Sequence, residues 1–266
     1  PFGQLVSETV YQAGNPPTDV VKPIKDIVGD LPAAKCLFPL PTGYTHELAD
    51  AMRAAAGEDA VFCLSLGYPG FHAFSEMFDG GLEAATFAFM DHPDLFEELR
   101  ATMHAAIVRK AELMLDYRPD ILYFSASGTL TLSTPAWVRQ FCLPTIKRVT
   151  AMARQAGVPT MLHACGKSRA FVQMLAEETD LDCINPLEMP PMGDADLAEI
   201  KRSFGHKLAL AGNIHTTETM LLGSPADVDA ACRRAIEAAG AGGGFVLMTG
   251  DQCGRDTPDE NIFAFV

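Results

Sequence analysis

Apolar and polar positions follow two alternating regimes along the chain. Short apolar runs occur at Ala60 to Leu66, Ile121 to Phe124, Val158 to Leu162, Leu181 to Leu187, Lys207 to Ala211 and Phe245 to Thr249. Each has the length of a strand, and the near-continuous apolar character of a strand covered on both faces. Between them apolar residues recur at helical spacing, as in Leu95, Leu99, Met103 and Ala106, and again in Val228, Ala231, Cys232 and Ala235, which predicts helices with one buried stripe. The order strand, helix, strand, helix implies a parallel sheet covered by helices.

Punctuation supports this reading. Ser224-Pro225-Ala226-Asp227 sets a capping hydroxyl, a proline at the first helical position and an acid three residues after the cap, which together open a helix. Thr257-Pro258-Asp259-Glu260 repeats the pattern, so a second helix is expected to start with Thr257 as its cap. The run Gly240-Ala241-Gly242-Gly243-Gly244 precedes an apolar strand instead of following one; it reads as the end of a helix and not as a phosphate cradle. The repeated unit lacks a dinucleotide fingerprint, and this favours an α/β TIM (β/α)8 barrel over a doubly wound sheet. With no low-complexity linker and no close repeat, residues 1–266 read as one domain.

Composition narrows the partners. The chain has 266 residues, 48% of them hydrophobic, enough for one barrel of roughly 250 residues. Its formal net charge of -14 repels nucleic acid and anionic membrane surfaces, which leaves a small molecule or another protein as the expected partner. The seven cysteines are an odd set in a chain too long to need disulfide staples, with no signal-peptide or transmembrane run before them; a reducing, cytoplasmic compartment is expected. The sequence opens at Pro1 and stops at Val266 inside an apparent helix, so it reads as a piece of a longer protein, shortened at the N-terminus. An exposed barrel face also allows a homo-oligomer.

The segment richest in chemistry is Val158-Pro159-Thr160-Met161-Leu162-His163-Ala164-Cys165-Gly166. A strand there ends in His-x-Cys, and residues two apart on a strand point the same way. In a parallel barrel the C-terminal end of a strand faces the active site. Imidazole and thiolate are zinc ligands, and a catalytic zinc takes three protein ligands and keeps one position open. The third ligand is sought in Met248-Thr249-Gly250-Asp251-Gln252-Cys253, another strand end, where both Asp251 and Cys253 are candidates. Glu188, just past an apolar strand, is a candidate further ligand or base. Asn213 and His215 follow the strand ending at Ala211 and are candidate catalytic or substrate-contact residues. Cys63, Cys183 and Cys232 read as small packing residues. Cys165-Gly166-Lys167-Ser168 resembles the end of a phosphate-binding loop, but Met161 stands where that motif needs its first glycine.

Several longer segments resemble one family. Asp91-His92-Pro93, Leu132-Ser133-Thr134-Pro135 on to Pro144, Gly212-Asn213-Ile214, Leu222-Gly223-Ser224-Pro225-Ala226-Asp227-Val228, Gly243-Gly244-Phe245-Val246-Leu247 and Thr257-Pro258-Asp259-Glu260-Asn261 are similar to the uroporphyrinogen decarboxylase superfamily. That resemblance implies a TIM barrel. The superfamily contains cofactor-independent decarboxylases, and methyltransferases that hold zinc with His-x-Cys and a later Cys. Leu162-His163-Ala164-Cys165-Gly166 resembles the methyltransferase version. The resemblance therefore implies a zinc enzyme that moves a methyl group between a corrinoid (cobalamin), carried on a separate protein, and a thiol or another small nucleophile.

The sequence departs from that version at one position: where the methyltransferases have their last Cys it has Asp251, with Cys253 two residues later. The third ligand stays open between them. A decarboxylase would instead need inward cations, for which Lys167, Arg169 and Arg255 are the candidates, and the arginine-rich Arg-x-x-Gly-Arg segment of decarboxylases is not present. A barrel that only binds a partner is a third reading, because fold alone does not specify chemistry.

Overall fold

A computed structural model describes residues 2–67 and 69–266. All six apolar runs form strands: β3 Cys63–Ser65, β4 Ile121–Ser125, β5 Thr160–His163, β6 Cys183–Asn185, β7 Ala209–Ile214 and β8 Phe245–Thr249. They make one sheet in the order β3-β4-β5-β6-β7-β8, and every pairing is parallel. Sequential order with helical crossovers is the wall of a (β/α) barrel. Among the described residues that wall has six strands, with β3 and β8 at its two edges. Two N-terminal strands, β1 Glu8–Val10 and β2 Thr18–Val21, form a separate antiparallel hairpin.

Burial explains the sheet. Leu122, Phe124, Leu162, Ile184 and Leu210 are all fully buried, and they join the helical stripes in one apolar core running from Ile24 to Ala239. The long helix Pro93–Tyr117 begins on a proline and buries Phe96, Leu99, Met103, Ile107, Ala111 and Leu115. The stripe passes through Phe96 and Ile107, while the expected Leu95 and Ala106 lie one residue off it and are half-buried. Phe96 anchors an aromatic cluster with Phe71, Phe74, Phe78 and Phe89 at ring separations of 5.2 to 5.8 Å.

Helix Pro225–Ala239 opens on the expected reciprocal cap. The Ser224 N–H donates to Asp227 Oδ2 at 2.8 Å, and the Asp227 N–H donates to Ser224 Oγ at 3.3 Å. It buries Val228, Ala231, Cys232 and Ala235 and ends at Gly240. The final helix corrects its expectation: it runs Asp259–Phe265 with Pro258 at the cap, and the Thr257 hydroxyl is buried without a hydrogen bond among the described residues. Starting at Asp259 puts the helix's free amides beyond the reach of Thr257. Cys63 is a second correction, since it is exposed on the edge strand β3 and contributes nothing to the core. Cys183 is half-buried on β6, and burial pushes its thiol up to about 11.

Candidate metal centre

His163 is the last residue of β5, between Ser125 of β4 and Asn185 of β6 in register. Pairing continues past the formal strand end: the Ala126 N–H donates to His163 O at 2.8 Å, and the Ala164 N–H donates to Asn185 O at 2.7 Å. This extension keeps the backbone straight through Ala164, so the side chains of His163 and Cys165 project together at the C-terminal end of the sheet. Gly166 then turns the chain at φ +79°, where a side chain would collide with Thr131 Oγ1. The turn aims the Gly166 N–H at Glu188 Oε2, which accepts it.

Asp251 comes from the far edge of the same face. It follows β8 by two residues, and the Gly250 N–H donates to Ile214 O at 2.6 Å, which fixes the turn to β7. The Thr249 hydroxyl donates to Asp251 O at 2.7 Å. One ligand atom each from His163, Cys165 and Asp251 all lie within 4.8 Å of one another, and His163 Nε2 is 4.0 Å from Asp251 Oδ1. Of the two residues the sequence offered as third ligand, Cys253 stays out of this cluster; it is half-buried and packs against the margin of the core. Imidazole, thiol and carboxylate at this spacing form a donor set that suits zinc with a fourth position open to a substrate atom.

The electrostatics fit an ion better than three bare side chains. Burial lowers the His163 pKa, partly opposed by Asp251, which favours the neutral imidazole that ligates a metal. Burial raises the Cys165 thiol, and the Asp251 and Glu188 carboxylates raise it further, against hydrogen bonds from the Ser127 side chain and the Gly128 main chain. A cation between the three groups would offset the cost of the thiolate, because a coordinated thiol is deprotonated outright. Ser127 was not singled out in the sequence; its only signal there is a hydroxyl two residues beyond β4, at the strand end where barrel side chains act.

Glu188, Asn213 and His215 lie beside the cluster. All three are buried, with 6%, 4% and 7% exposure. Burial raises Glu188, and the Gly166 amide opposes the shift. Asn213 Nδ2 donates to Leu187 O at 3.0 Å. That contact depends on Gly212, where a side chain would run into Pro186 O. His215 caps the turn Thr216–Leu221, its Nδ1 accepting from the N–H groups of Thr217 and Glu218 at 3.2 and 3.1 Å. The candidate cations Lys167, Arg169 and Arg255 are exposed. Arg169 pairs with Glu199, and Arg255 donates to Gly14 O at 3.3 Å. A cavity of about 1020 Å³ lies elsewhere, lined by Leu48, Met52, Met103, Met114 and Tyr117 among others, and shares no residue with the cluster.

The family model for uroporphyrinogen decarboxylase (URO-D) matches residues 22–266. The chain belongs to the URO-D family. Within that family it is similar to the methylcobamide:CoM methyltransferase MtaA of Methanosarcina barkeri, 30% identical over 174 residues, which is 65% of this chain and 48% of the relative. An MtaA from M. barkeri strain Fusaro is 28% identical over the same length. The chain spans about half the length of these curated relatives. Among solved structures, a methyltransferase from Methanosarcina mazei superposes with a TM-score of 0.68 at 19% identity, covering 98% of this chain and 74% of the other. A B12-independent methionine synthase from Shewanella sp. W3-18-1 in complex with selenomethionine superposes at 0.50 and 15% identity, covering 98% and 73%. At these identities the superpositions establish the URO-D chain's fold and nothing finer. No helix among the described residues is long and apolar enough to cross a membrane.

Proposed function

We propose that this chain carries the zinc site of a methyltransferase that moves a methyl group between a corrinoid on a partner protein and a thiol or another small nucleophile. The observation that carries the reading is the convergence of His163, Cys165 and Asp251 within 4.8 Å at the C-terminal end of the sheet. The similarity to methylcobamide:CoM methyltransferases supports the reaction class, and the acid-rich surroundings, with Lys167, Arg169 and Arg255 turned outward, speak against a carboxylate-rich substrate. Seven free cysteines fit a reducing cytoplasm.

In this reading the imidazole of His163, the Cys165 sulfur and an Asp251 oxygen would hold the ion. Bound there, zinc supplies the Lewis acidity that brings a coordinated thiol to its reactive anion near neutral pH. The Ser127 hydroxyl bonded to Cys165 draws charge from the sulfur and orients it. Glu188, Asn213 and His215 form the wall against which the substrate is positioned. Asn213 acts through its bond to Leu187, which fixes the loop holding Glu188.

Replacing Cys165 by Ser tests the reading. The wild type is expected to carry about one zinc per chain, and the Cys165→Ser variant less than about a tenth of that. Methyl transfer from methylcobalamin to 2-mercaptoethanol is expected to fall with it. Zinc content unchanged in the variant contradicts the proposal.

A further inference from the structure

His215 holds a buried donor that finds no acceptor among the described residues. Because its Nδ1 accepts from two main-chain N–H groups, the proton of the neutral ring sits on Nε2. Nε2 is buried and has no hydrogen-bond partner among the described residues. A buried donor left this way destabilises the fold, and a ligand atom accepting from it would relieve that cost. His215 lines a small cavity of about 10 Å³ together with Glu188, Met189, Met192, Asn213, Thr216 and Gly250. That is room for one water-sized group.

Glu188 supplies the complementary half. Its Oε2 is occupied by the Gly166 amide, and Oε1 has no partner among the described residues. Asn213 has its Nδ2 committed to Leu187 O. One group that both accepts from His215 Nε2 and donates to Glu188 Oε1 is a hydroxyl. A carboxylate or sulfonate is too large for the space and would face the acids Glu188 and Asp251; an ammonium cannot accept. The cavity also adjoins the cluster, since Gly250 precedes Asp251 and the Gly166 amide that Glu188 binds follows Cys165.

We infer that His215 and Glu188 form a subsite for the hydroxyl group of an uncharged substrate, whose reacting atom lies a short distance away at the metal position. The inference rests on the zinc reading for the reacting atom, but the hydroxyl subsite itself is built only from this chain's side chains. It sets this chain's acceptor apart from an anionic thiol such as coenzyme M.

Two titrations separate the inference from the reading beneath it. In calorimetry on the zinc-loaded chain, 2-mercaptoethanol is expected to bind roughly tenfold tighter than ethanethiol, the ratio one well-placed hydroxyl contributes, and tighter than coenzyme M. In His215→Asn, which keeps a capping acceptor but cannot reach the cavity, the tenfold ratio falls to about one while zinc content holds. Equal affinities in the wild type, a ratio that survives the variant, or preference for coenzyme M overturns the subsite. The second titration uses the chain without zinc, so it stands even if no metal or thiol binds and the zinc reading falls. Ethanol is expected to shift the His215 Nε2 resonance more than acetonitrile, which accepts but cannot donate. No such difference overturns the hydroxyl assignment.

Discussion

Zinc affinity is expected to drop by at least about a hundredfold in Asp251→Ala and to stay within about threefold of wild type in Cys253→Ser. Asp251 places an oxygen within 4.8 Å of the donor atoms of His163 and Cys165, whereas Cys253 lies outside that group and packs against the core. Losing Asp251 leaves two ligands, too few to hold a zinc ion firmly. Losing the Cys253 sulfur removes only part of a half-buried contact. A competitive titration against a chromogenic chelator at fixed pH measures both variants. The exchange also predicts a chemical difference: in Asp251→Cys a second thiolate makes the metal a weaker Lewis acid, so the bound thiol's pKa should rise and its rate of methylation near neutral pH should fall.

Acid is expected to unfold the wild type more readily than a His72→Leu variant. His72 is 2% exposed in the segment Phe71–Glu76, and burial drives its imidazole down from 6.5 to about 3, with a hydrogen bond to the Ser127 main chain opposing the shift. The sign follows from linkage. Below pH 6.5 the unfolded chain takes up a proton that the folded chain refuses, so stability is lost as pH falls from 6.5 towards 3, by about 4–5 kcal/mol over the whole window. Between pH 7 and pH 4.5 the loss is about 2.5–3 kcal/mol. His72→Leu lacks this term, while carboxylates contribute equally to both proteins. Urea unfolding at the two pH values is therefore expected to show a drop smaller by that amount in the variant. Equal drops would mean that His72 accepts its proton without unfolding the segment.

Much of the sheet was legible in the sequence, because parallel strands covered on both faces appear as unbroken apolar runs. The hairpin β1–β2 was not legible: its strands are short and almost wholly exposed, so no alternation marks a buried face. The helix stripe was legible to within one residue, since Leu95 and Phe96 are both apolar and only packing against Phe71, Phe74 and Phe78 decides which turns inward. At the site, His163 and Cys165 were legible because strand periodicity fixes their common direction. Asp251 and Cys253 share that two-residue spacing but sit in a loop, where side-chain direction depends on local bonds such as Thr249 to Asp251. The donor at His215 Nε2 was hidden as well; its direction follows from which ring nitrogen caps the turn, and that depends on the geometry of Thr217 and Glu218.

The most direct test of the central claim is zinc K-edge X-ray absorption on the zinc-loaded wild-type chain. One sulfur scatterer at about 2.3 Å, with nitrogen and oxygen scatterers at about 2.0–2.2 Å, is the result expected for His163, Cys165 and Asp251. Two sulfur scatterers would move the third ligand to a cysteine, and protein that retains no zinc would contradict a metal centre at these residues altogether.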